Sequence, residues 1–278
     1  MLPERRIDRG PPELGDGYRA RMATMSTYVP GTPCWVDLGA PDVAAAADFY
    51  TALLGWECPE GDPAFGGYRS CTLGGRTVAG LGPQMGPVSA WTTYLSTDDA
   101  QATAASVAAA GGTMMGDVME VGDLGTMGLF MDAGGTFCGM WQPGSHLGAQ
   151  AVNEPGAWTW SELMTRNMDA AKAFYPKVFG WTFDADTMPG YTIWLVDGRG
   201  IGGGMDMPEG FPAEVQGVWG TYFEVADCDA SAAKVVELGG TIMNPPMDME
   251  GVGRMSVVTG LGGEVFSLIT SASNAGGS

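Results

Sequence analysis

Residues 33–56 read PCWVDLGAPDVAAAADFYTALLGW, and residues 158–181 read WTWSELMTRNMDAAKAFYPKVFGW. Aligned without a gap, both stretches carry a Phe-Tyr pair and end in Gly-Trp. Further segments match in the same order: WTTYL at 91–95 with WGTYF at 219–223, AGGT at 110–113 with LGGT at 238–241, and GGTFCGMW at 134–141 with GGEVFSLI at 262–269. This many matches in one order indicate an internal duplication.

Each half predicts the same order of secondary structure. A short apolar strand leads into an Ala-rich helix, which Asp42 can cap and which Gly55 can end in a left-handed conformation. Two β-like runs follow, and the pattern then restarts with a strand, a helix and two strands. The sequence therefore predicts an α+β fold in which each half is a pair of βαβββ modules. In the first half we expect strands at 35–38, 68–73, 77–81, 91–96, 126–131 and 136–141, and helices at 43–54 and 98–110.

The duplication also sets the expected domain boundaries. We expect a leader over residues 1–28, a first domain over 29–143, a linker over 144–156, a second domain over 157–271 and a tail over 272–278. A chain built this way is expected to be a monomer with internal pseudo-two-fold symmetry or a homodimer.

Composition narrows the classes of partner. Thirteen Lys and Arg against 32 Asp and Glu give a net charge of −19, which repels phosphate backbones and anionic membranes. No apolar run approaches the ~20 residues of a membrane span, and the N-terminal residues lack a signal-peptide core. The five cysteines are odd in number and show no C-x-x-C spacing, which argues against a disulfide framework and a structural zinc site. We therefore expect a cytoplasmic protein whose partner is a small molecule, with no nucleic acid and no membrane.

The repeated motif resembles the vicinal oxygen chelate superfamily, which includes glyoxalase I, extradiol dioxygenases, and bleomycin- and fosfomycin-resistance proteins. The likeness rests on D42-V-x5-F49-Y50-x4-G55-W56 and its counterpart N167-M-x5-F174-Y175-x4-G180-W181. It also rests on the G-G-T after the second helix and on D132-A-G-G-T, where the family usually has D-P-x-G-N. The resemblance implies that each pair of modules curls into an incomplete barrel whose concave face, or cup, holds the site.

Metal-dependent members of that superfamily place His, Glu or Gln at three inward positions of each cup. Carried over to this chain, those positions are Trp35, Thr92 and Gly139 in the first half and Trp160, Gly220 and Ser267 in the second. None is a usual transition-metal ligand, and the single histidine, His146, falls in the expected linker. This departure from the family's pattern predicts that the chain binds no metal and no other cofactor. It also argues against a classical metal-dependent glyoxalase or dioxygenase activity.

Two carboxylates are the candidate catalytic residues. Asp37 follows Trp35 by two positions and Glu162 follows Trp160 by two, so each pair shares one face of a strand. One interpretation is a general base whose pKa is raised by apolar surroundings. The other is a strand-end carboxylate that accepts hydrogen bonds from the local backbone.

The candidate ligand-binding residues are mostly aromatic and Met side chains at inward strand positions or in loops over the cup. Flat aromatic rings stack on planar ligands, and Met adapts to their shape. Ordinary core packing is the alternative explanation for many of the aromatic and Met residues. The candidates are Trp35, Tyr94, Phe137, Trp141, Trp160, Tyr222, Glu224, Met205 and Met207.

Two functions follow as hypotheses. The first is metal-independent binding of a hydrophobic, aromatic small molecule, for sequestration and resistance or as an auxiliary protein of natural-product biosynthesis. The alternative is a cofactor-independent isomerase, lyase, cyclase or hydroxylase accessory that uses Asp37 or Glu162 as a general base. A third possibility is that one cup only packs against the other, and we expect the two cups to be unequal.

Overall fold

The computed structural model describes residues 27–272. The expected leader over 1–28 and tail over 272–278 lie almost wholly outside the described residues. The first half contains β1 (Pro33–Ala40), α1 (Val43–Leu54), β2 (Arg69–Leu73), β3 (Arg76–Pro83), β4 (Ala90–Ser96), α2 (Ala100–Ala109), β5 (Thr113–Met114), β6 (Met119–Val121), β7 (Gly125–Met131) and β8 (Phe137–Pro143). The second contains β9 (Trp158–Thr165), α3 (Met168–Phe179), β10 (Thr182–Asp184), β11 (Tyr191–Val196), β12 (Arg199–Asp206), β13 (Gly217–Glu224), α4 (Cys228–Glu237), β14 (Thr241–Met249), β15 (Gly253–Thr259) and β16 (Val265–Ser271).

Each half forms its own curled sheet. The first sheet has the order β2-β3-β1-β4-β8-β7-β5, with β6 paired to β7, and the second has the order β10-β11-β12-β9-β13-β16-β15-β14. In the first sheet β1 and β4 are antiparallel neighbours at the centre, and each has a parallel partner on its other side, β3 or β8. The second sheet repeats this with β9, β13, β12 and β16. The predicted α+β fold of paired modules is confirmed. Both modules of the second half are βαβββ, whereas in the first half two strands and an isolated bridge at Glu57 follow α1, and four strands follow α2.

Local sequence signals begin and end the helices as expected. The Asp42 side chain accepts hydrogen bonds from the main-chain nitrogens of Ala44 and Ala45, and Gly55 ends α1 with a φ of 76°. In α3, Asn167 caps the first turn and Gly180 takes a φ of 70°. Glycine adopts this left-handed conformation without the steric cost that a Cβ brings, which explains the Gly-Trp end of both copies. None of the helices within residues 27–272 is long and apolar enough to cross a membrane.

The two halves share their hydrophobic cores. One core joins α1 residues such as Phe49 to Phe223, Val235 and Phe266 of the second half. The other joins first-half residues such as Phe130 to α3 and to the Trp residues of the second sheet. Burial of apolar side chains from both halves in each core makes the fold of one half depend on the other.

A buried hydrogen bond crosses between the halves at one core. The hydroxyl of Tyr50, on α1, donates to Oε1 of Glu264 at 3.0 Å, and the indole of Trp91 donates to the Tyr50 oxygen at 3.2 Å. Glu264 also accepts from Ser89 and from the main chain of Gly262, so its buried carboxylate is well satisfied. Such a carboxylate is costly to bury without these partners.

The second core repeats this arrangement in the opposite direction. Tyr175, on α3, donates to Oδ2 of Asp132 in the first half at 3.0 Å, and Trp219 donates to Tyr175 at 3.1 Å. Asp132 is the first residue of the turn between β7 and β8, and the repeat aligns it with Gly260 in the turn between β15 and β16. A Cβ on Gly260 would lie 2.0 Å from Oε1 of Glu264. The Glu264 carboxylate therefore occupies the space that an aspartate side chain at position 260 would fill.

One expectation about the cysteines is wrong. Cys58 and Cys71 form a disulfide, while Cys34, Cys138 and Cys228 are free and buried. The sequence spacing gave no sign of it, because the pairing depends on an antiparallel bridge between Glu57 and Thr72 that sets the two cysteines opposite each other. In the second half the corresponding cross-strand pair is Phe183 with Trp194, whose rings meet edge to face at 5.9 Å.

We expect replacement of both Cys58 and Cys71 by Ala to lower the free energy of unfolding by roughly 3 kcal/mol, because the disulfide closes a loop of 13 residues in the unfolded chain. Urea titration of both proteins with and without a phosphine reductant measures the difference. The reductant should destabilise the wild type and leave the double variant unchanged; equal stabilities without reductant would contradict the prediction.

We expect Tyr50→Phe and Tyr175→Phe each to lower the free energy of unfolding by about 1.5 to 3 kcal/mol, because each leaves a buried carboxylate short of a donor. Tyr28→Phe is the matched control, since the Tyr28 hydroxyl donates to a neutral acceptor, the main-chain oxygen of Ala149. Its loss should cost only about 0.5 to 1.5 kcal/mol. Equal losses for all three variants in urea titrations would show that the carboxylates do not need the tyrosines.

Candidate functional site

The candidate site lies on the face of each sheet that is turned away from the helices. Leu38 pairs with Trp91, which contacts Tyr50 on α1, so this side of β1 faces the core. Side chains alternate along a strand, and Trp35 and Asp37 therefore face the opposite side. We call this face of the first sheet cup 1 and the equivalent face of the second sheet cup 2.

A chain of hydrogen bonds occupies the centre of cup 1. The indole Nε1 of Trp35 donates to the Tyr68 hydroxyl at 2.9 Å, and that hydroxyl donates to Oδ2 of Asp37 at 3.2 Å. Tyr94, which pairs with Trp35 across β1 and β4, also hydrogen-bonds to Asp37. We call these four residues cluster 1. They bring two phenols to one carboxylate.

Cup 2 contains the same arrangement. Trp160 Nε1 donates to the Tyr191 hydroxyl at 3.1 Å, and Tyr222 donates to Oε2 of Glu162 at 2.7 Å. Tyr191 also hydrogen-bonds to Glu162. We call these four residues cluster 2. The duplication has therefore kept a complete Trp-Tyr-carboxylate-Tyr unit in both halves, with Asp in one and Glu in the other.

Glycines make room for the tyrosines of both clusters. A Cβ on Gly80 would lie 1.7 Å from the Tyr68 hydroxyl oxygen, and a Cβ on Gly203 would lie 1.8 Å from that of Tyr191. On β8, a Cβ on Gly139 would lie 2.3 Å from the ring of Tyr94. These rings rest directly on the backbone of the sheet, which only glycine permits at such distances. The cups are thus filled at their floor by their own side chains.

Burial raises the pKa of the carboxylate in each cluster. Desolvation raises the pKa of Asp37 from its ordinary 3.8 to about 7, although the hydrogen bonds from Tyr94 and Tyr68 favour the anion and oppose the rise. The residue as a whole is half-buried, and its carboxylate is the end that the two tyrosines contact. Burial also raises the pKa of Glu162, again against hydrogen bonds from Tyr222 and Tyr191. Asp37 is therefore a group that can hold or release a proton near neutral pH.

The three positions where the superfamily places metal ligands do not fit a metal ion here. Strand register brings the positions together in each cup, but the side chains that they supply are an indole, a hydroxyl and none. The positions are Trp35, Thr92 and Gly139 in cup 1, and Trp160, Gly220 and Ser267 in cup 2. Among residues 27–272, no three His, Cys, Asp or Glu side chains are grouped so that they could hold a metal.

The other sequence candidates separate into two groups. Phe137 and Trp141 alternate with buried core residues on β8 and so face cup 1, with Trp141 nearly enclosed. Glu224 does not join cluster 2: it is fully buried at the end of β13, where its carboxylate accepts from the main chain and hydroxyl of Ser271. The expectation that Glu224 lines the cup is therefore corrected, because a local serine takes both of its oxygens.

One of the two candidate methionines differs from expectation. Met205 lies on β12, not in a loop, and pairs with Tyr191 and Met164 at the edge of cup 2. Met207 follows the end of β12, where its main-chain nitrogen donates to Thr165. The position of Met205 is set by the pairing of β12 with β11 and β9, which cannot be read from composition.

Sequence reasoning did not find Tyr68, Tyr191 or the placement of His146. Tyr68 directly precedes β2 and Tyr191 opens β11, which occupy equivalent places in the two halves, so their equivalence in the repeat was available as a signal. His146, expected to be an ordinary linker residue, contacts the ring of Trp35 at the rim of cup 1, with 4.5 Å between the ring centroids. Two surface cavities lie away from both clusters, one around Arg254 and the other around Pro41.

Family models match both halves of the chain. Residues 159–268 match the Glyoxalase/Bleomycin resistance protein/Dioxygenase superfamily, and residues 35–138 match a glyoxalase-like domain. The chain belongs to this superfamily. Within it, the chain is 38% identical over 244 residues to the anthracycline biosynthesis protein DnrV of Streptomyces peucetius, covering 81% of this chain and 88% of DnrV. It is 37% identical over 264 residues to CFP32 of Mycobacterium bovis, covering 90% of this chain and 99% of CFP32.

Solved structures of the superfamily share the fold. The Mn(II)-bound glyoxalase from Novosphingobium aromaticivorans superposes with a TM-score of 0.61 at 18% identity, covering 87% of this chain and 82% of that one. The 2,3-dioxygenase LapB from Pseudomonas sp. KL28 superposes with a TM-score of 0.63 at 12% identity, covering 87% and 93%. At this identity the likeness concerns the architecture alone.

We expect the stability of the protein to depend on pH through Asp37. The folded protein holds this proton up to about pH 7, whereas the unfolded chain releases it near 3.8, so folding stability is highest below that value and is lost as pH rises through 7. Asp37→Asn cannot lose a proton, so wild type should lose roughly 2 to 4 kcal/mol relative to this variant between pH 4 and pH 8. Urea titrations across that range measure the difference. A constant difference between the two proteins would show that Asp37 titrates normally.

Proposed function

We propose that this protein binds a hydrophobic, planar aromatic small molecule in a cup without using a metal ion, in a sequestration role or as an auxiliary protein of natural-product biosynthesis. The observation that carries this proposal is the Trp-Tyr-carboxylate-Tyr cluster, whose Trp in each cup occupies a position that the family resemblance assigns to a metal ligand. Affinity would come from stacking and desolvation, and the carboxylate and phenols would orient the polar groups of the ligand.

The ring surfaces of the cups support an aromatic ligand. Trp35, Tyr94 and Trp141 are each less than 10% exposed in cup 1, and Trp160 and Tyr222 have the corresponding places in cup 2. The 38% sequence identity to the anthracycline biosynthesis protein DnrV supports the same class of ligand, since anthracyclines contain fused aromatic rings.

One observation favours a second candidate, a cofactor-independent reaction with Asp37 as the base. The pKa of Asp37, raised by burial to about 7, suits proton transfer at neutral pH. Glu162 would take this role in cup 2, where burial also raises its pKa. An acidic C–H or phenol of the bound aromatic would be the proton donor.

The binding proposal is tested by titrating hydroxylated and methoxylated anthraquinones into the protein while tryptophan fluorescence and thermal shift are recorded. We expect saturable quenching, and about tenfold weaker binding for Trp35→Leu or Trp160→Leu, whichever cup is used, because the variant loses the stacking surface. Val236→Ala, at an exposed position on α4, is the control and should bind as wild type does. An absence of quenching and thermal shift across the panel would overturn the proposal.

The amide variants Asp37→Asn and Glu162→Gln separate binding from reaction. If a carboxylate is a base, its amide should bind the ligand within about threefold of wild type while turnover, followed by mass spectrometry of the ligand, falls by about 10² or more. Unchanged mass and unchanged chromatographic retention of the ligand after prolonged incubation with wild type would leave the binding proposal standing and exclude turnover of the ligands tested, because an isomerisation alters retention but not mass.

A further inference from the structure

A histidine marks one cup as different from the other. His146 is the only histidine in the chain. Its ring meets Trp35 edge to face, with centroids 4.5 Å apart, and meets Trp141 at 5.6 Å. The ring is half-buried, so one side lies against the two indoles and the rest is open to solvent at the rim of cup 1.

The backbone holds this ring in place. Residues 144–151, which we call the strap, cross from the β6–β7 hairpin to β1 and β3. The His146 nitrogen donates to Leu124 at 3.0 Å, and the Ala149 nitrogen donates to Cys34 at 2.8 Å. Trp141 Nε1 donates to the main-chain oxygen of His146 at 2.8 Å. The strap is thus fixed on both sides of the imidazole.

The ring nitrogens of His146 have no hydrogen-bond partner among residues 27–272. Burial, the one cause acting on it, lowers the pKa of His146. A neutral imidazole has one nitrogen that accepts a hydrogen bond. The titratable groups on the elements around it are engaged with one another or with the backbone: Asp37, Tyr68 and Tyr94 in cluster 1, Tyr28 on Ala149, Cys34 on Tyr94 and Cys138 on Thr93.

Cup 2 lacks this combination. The repeat aligns Trp141 with Ile269, so the second indole of cup 1 is replaced by an aliphatic side chain. The chain has no second histidine to place beside Trp160. Two indoles and an imidazole acceptor therefore occur together only at cup 1.

We propose that cup 1 is the ligand-binding cup, and that His146 selects planar aromatic ligands carrying an acidic hydroxyl by accepting the hydrogen bond of that hydroxyl. This rests on the proposed binding function and assigns it a location and a ligand class. The two indoles contribute contact with the ring, and the imidazole distinguishes a phenol from an ether of the same shape. A hydrogen bond of this kind is worth about fivefold to tenfold in affinity.

The experiment compares 2-hydroxyanthraquinone with 2-methoxyanthraquinone, which cannot donate. Wild type should bind the hydroxyl compound about fivefold to tenfold more tightly. In His146→Phe, which keeps a ring against the indoles, the preference should fall to less than twofold while the affinity for the methoxy compound stays unchanged. Ser145→Ala, an exposed strap residue, should keep the full preference.

A spectroscopic measurement locates the contact. In protein labelled with [¹³Cε1]-histidine and freed of any His tag, the single histidine gives one NMR signal, which should titrate below pH 6.5 and shift when 2-hydroxyanthraquinone is added. If the hydroxyl compound quenches tryptophan but leaves this signal unmoved, and His146→Phe binds as wild type does, the assignment to cup 1 is wrong while the proposed function stands. If neither compound binds wild type, the proposed function fails, and this inference fails with it.

Discussion

Two tyrosine–carboxylate hydrogen bonds, running in opposite directions, join the halves of this protein. Tyr50 donates from the first half to Glu264, and Tyr175 donates from the second half to Asp132. Each lies within a core built from both halves. Because the helices are committed to this shared interior, the opposite face of each sheet is left to form a cup. The position of both cups follows from this reciprocal contact.

Hydrogen bonds between tyrosine and carboxylate also occur on the opposite face of each sheet, where they join residues of one half only. In the interior, a tyrosine and a carboxylate from different halves hold the molecule together. In the cups, two tyrosines and a carboxylate from one half meet on the face of the sheet that is turned away from the helices. Burial shifts the protonation of Asp37 toward neutral pH without an ion pair.

The sequence predicted those features that depend on local order. The repeat, the helix ends at Gly55 and Gly180, and the common face of Trp35 and Asp37 all follow from spacing along the chain, and the structure has them. Features that depend on pairing between distant segments were out of reach. The Cys58–Cys71 disulfide needs the bridge at Glu57, Tyr68 reaches Asp37 across β1 and β3, and Glu224 is captured by Ser271. The sequence places His146 in the expected linker, and its contact with Trp35 exists only once residues 144–151 cross the sheet.

The glycine beneath Tyr94 has an evolutionary consequence. Position 139 is one of the three where relatives carry a metal donor, and any side chain there would begin 2.3 Å from the Tyr94 ring. Regaining a histidine or glutamate at 139 would therefore collide with the tyrosine unless Tyr94 changed as well, and that second change would remove a partner of Asp37. Neither substitution is useful without the other. A metal-donor side chain at position 139 is therefore compatible with this cup only if Tyr94 is replaced as well.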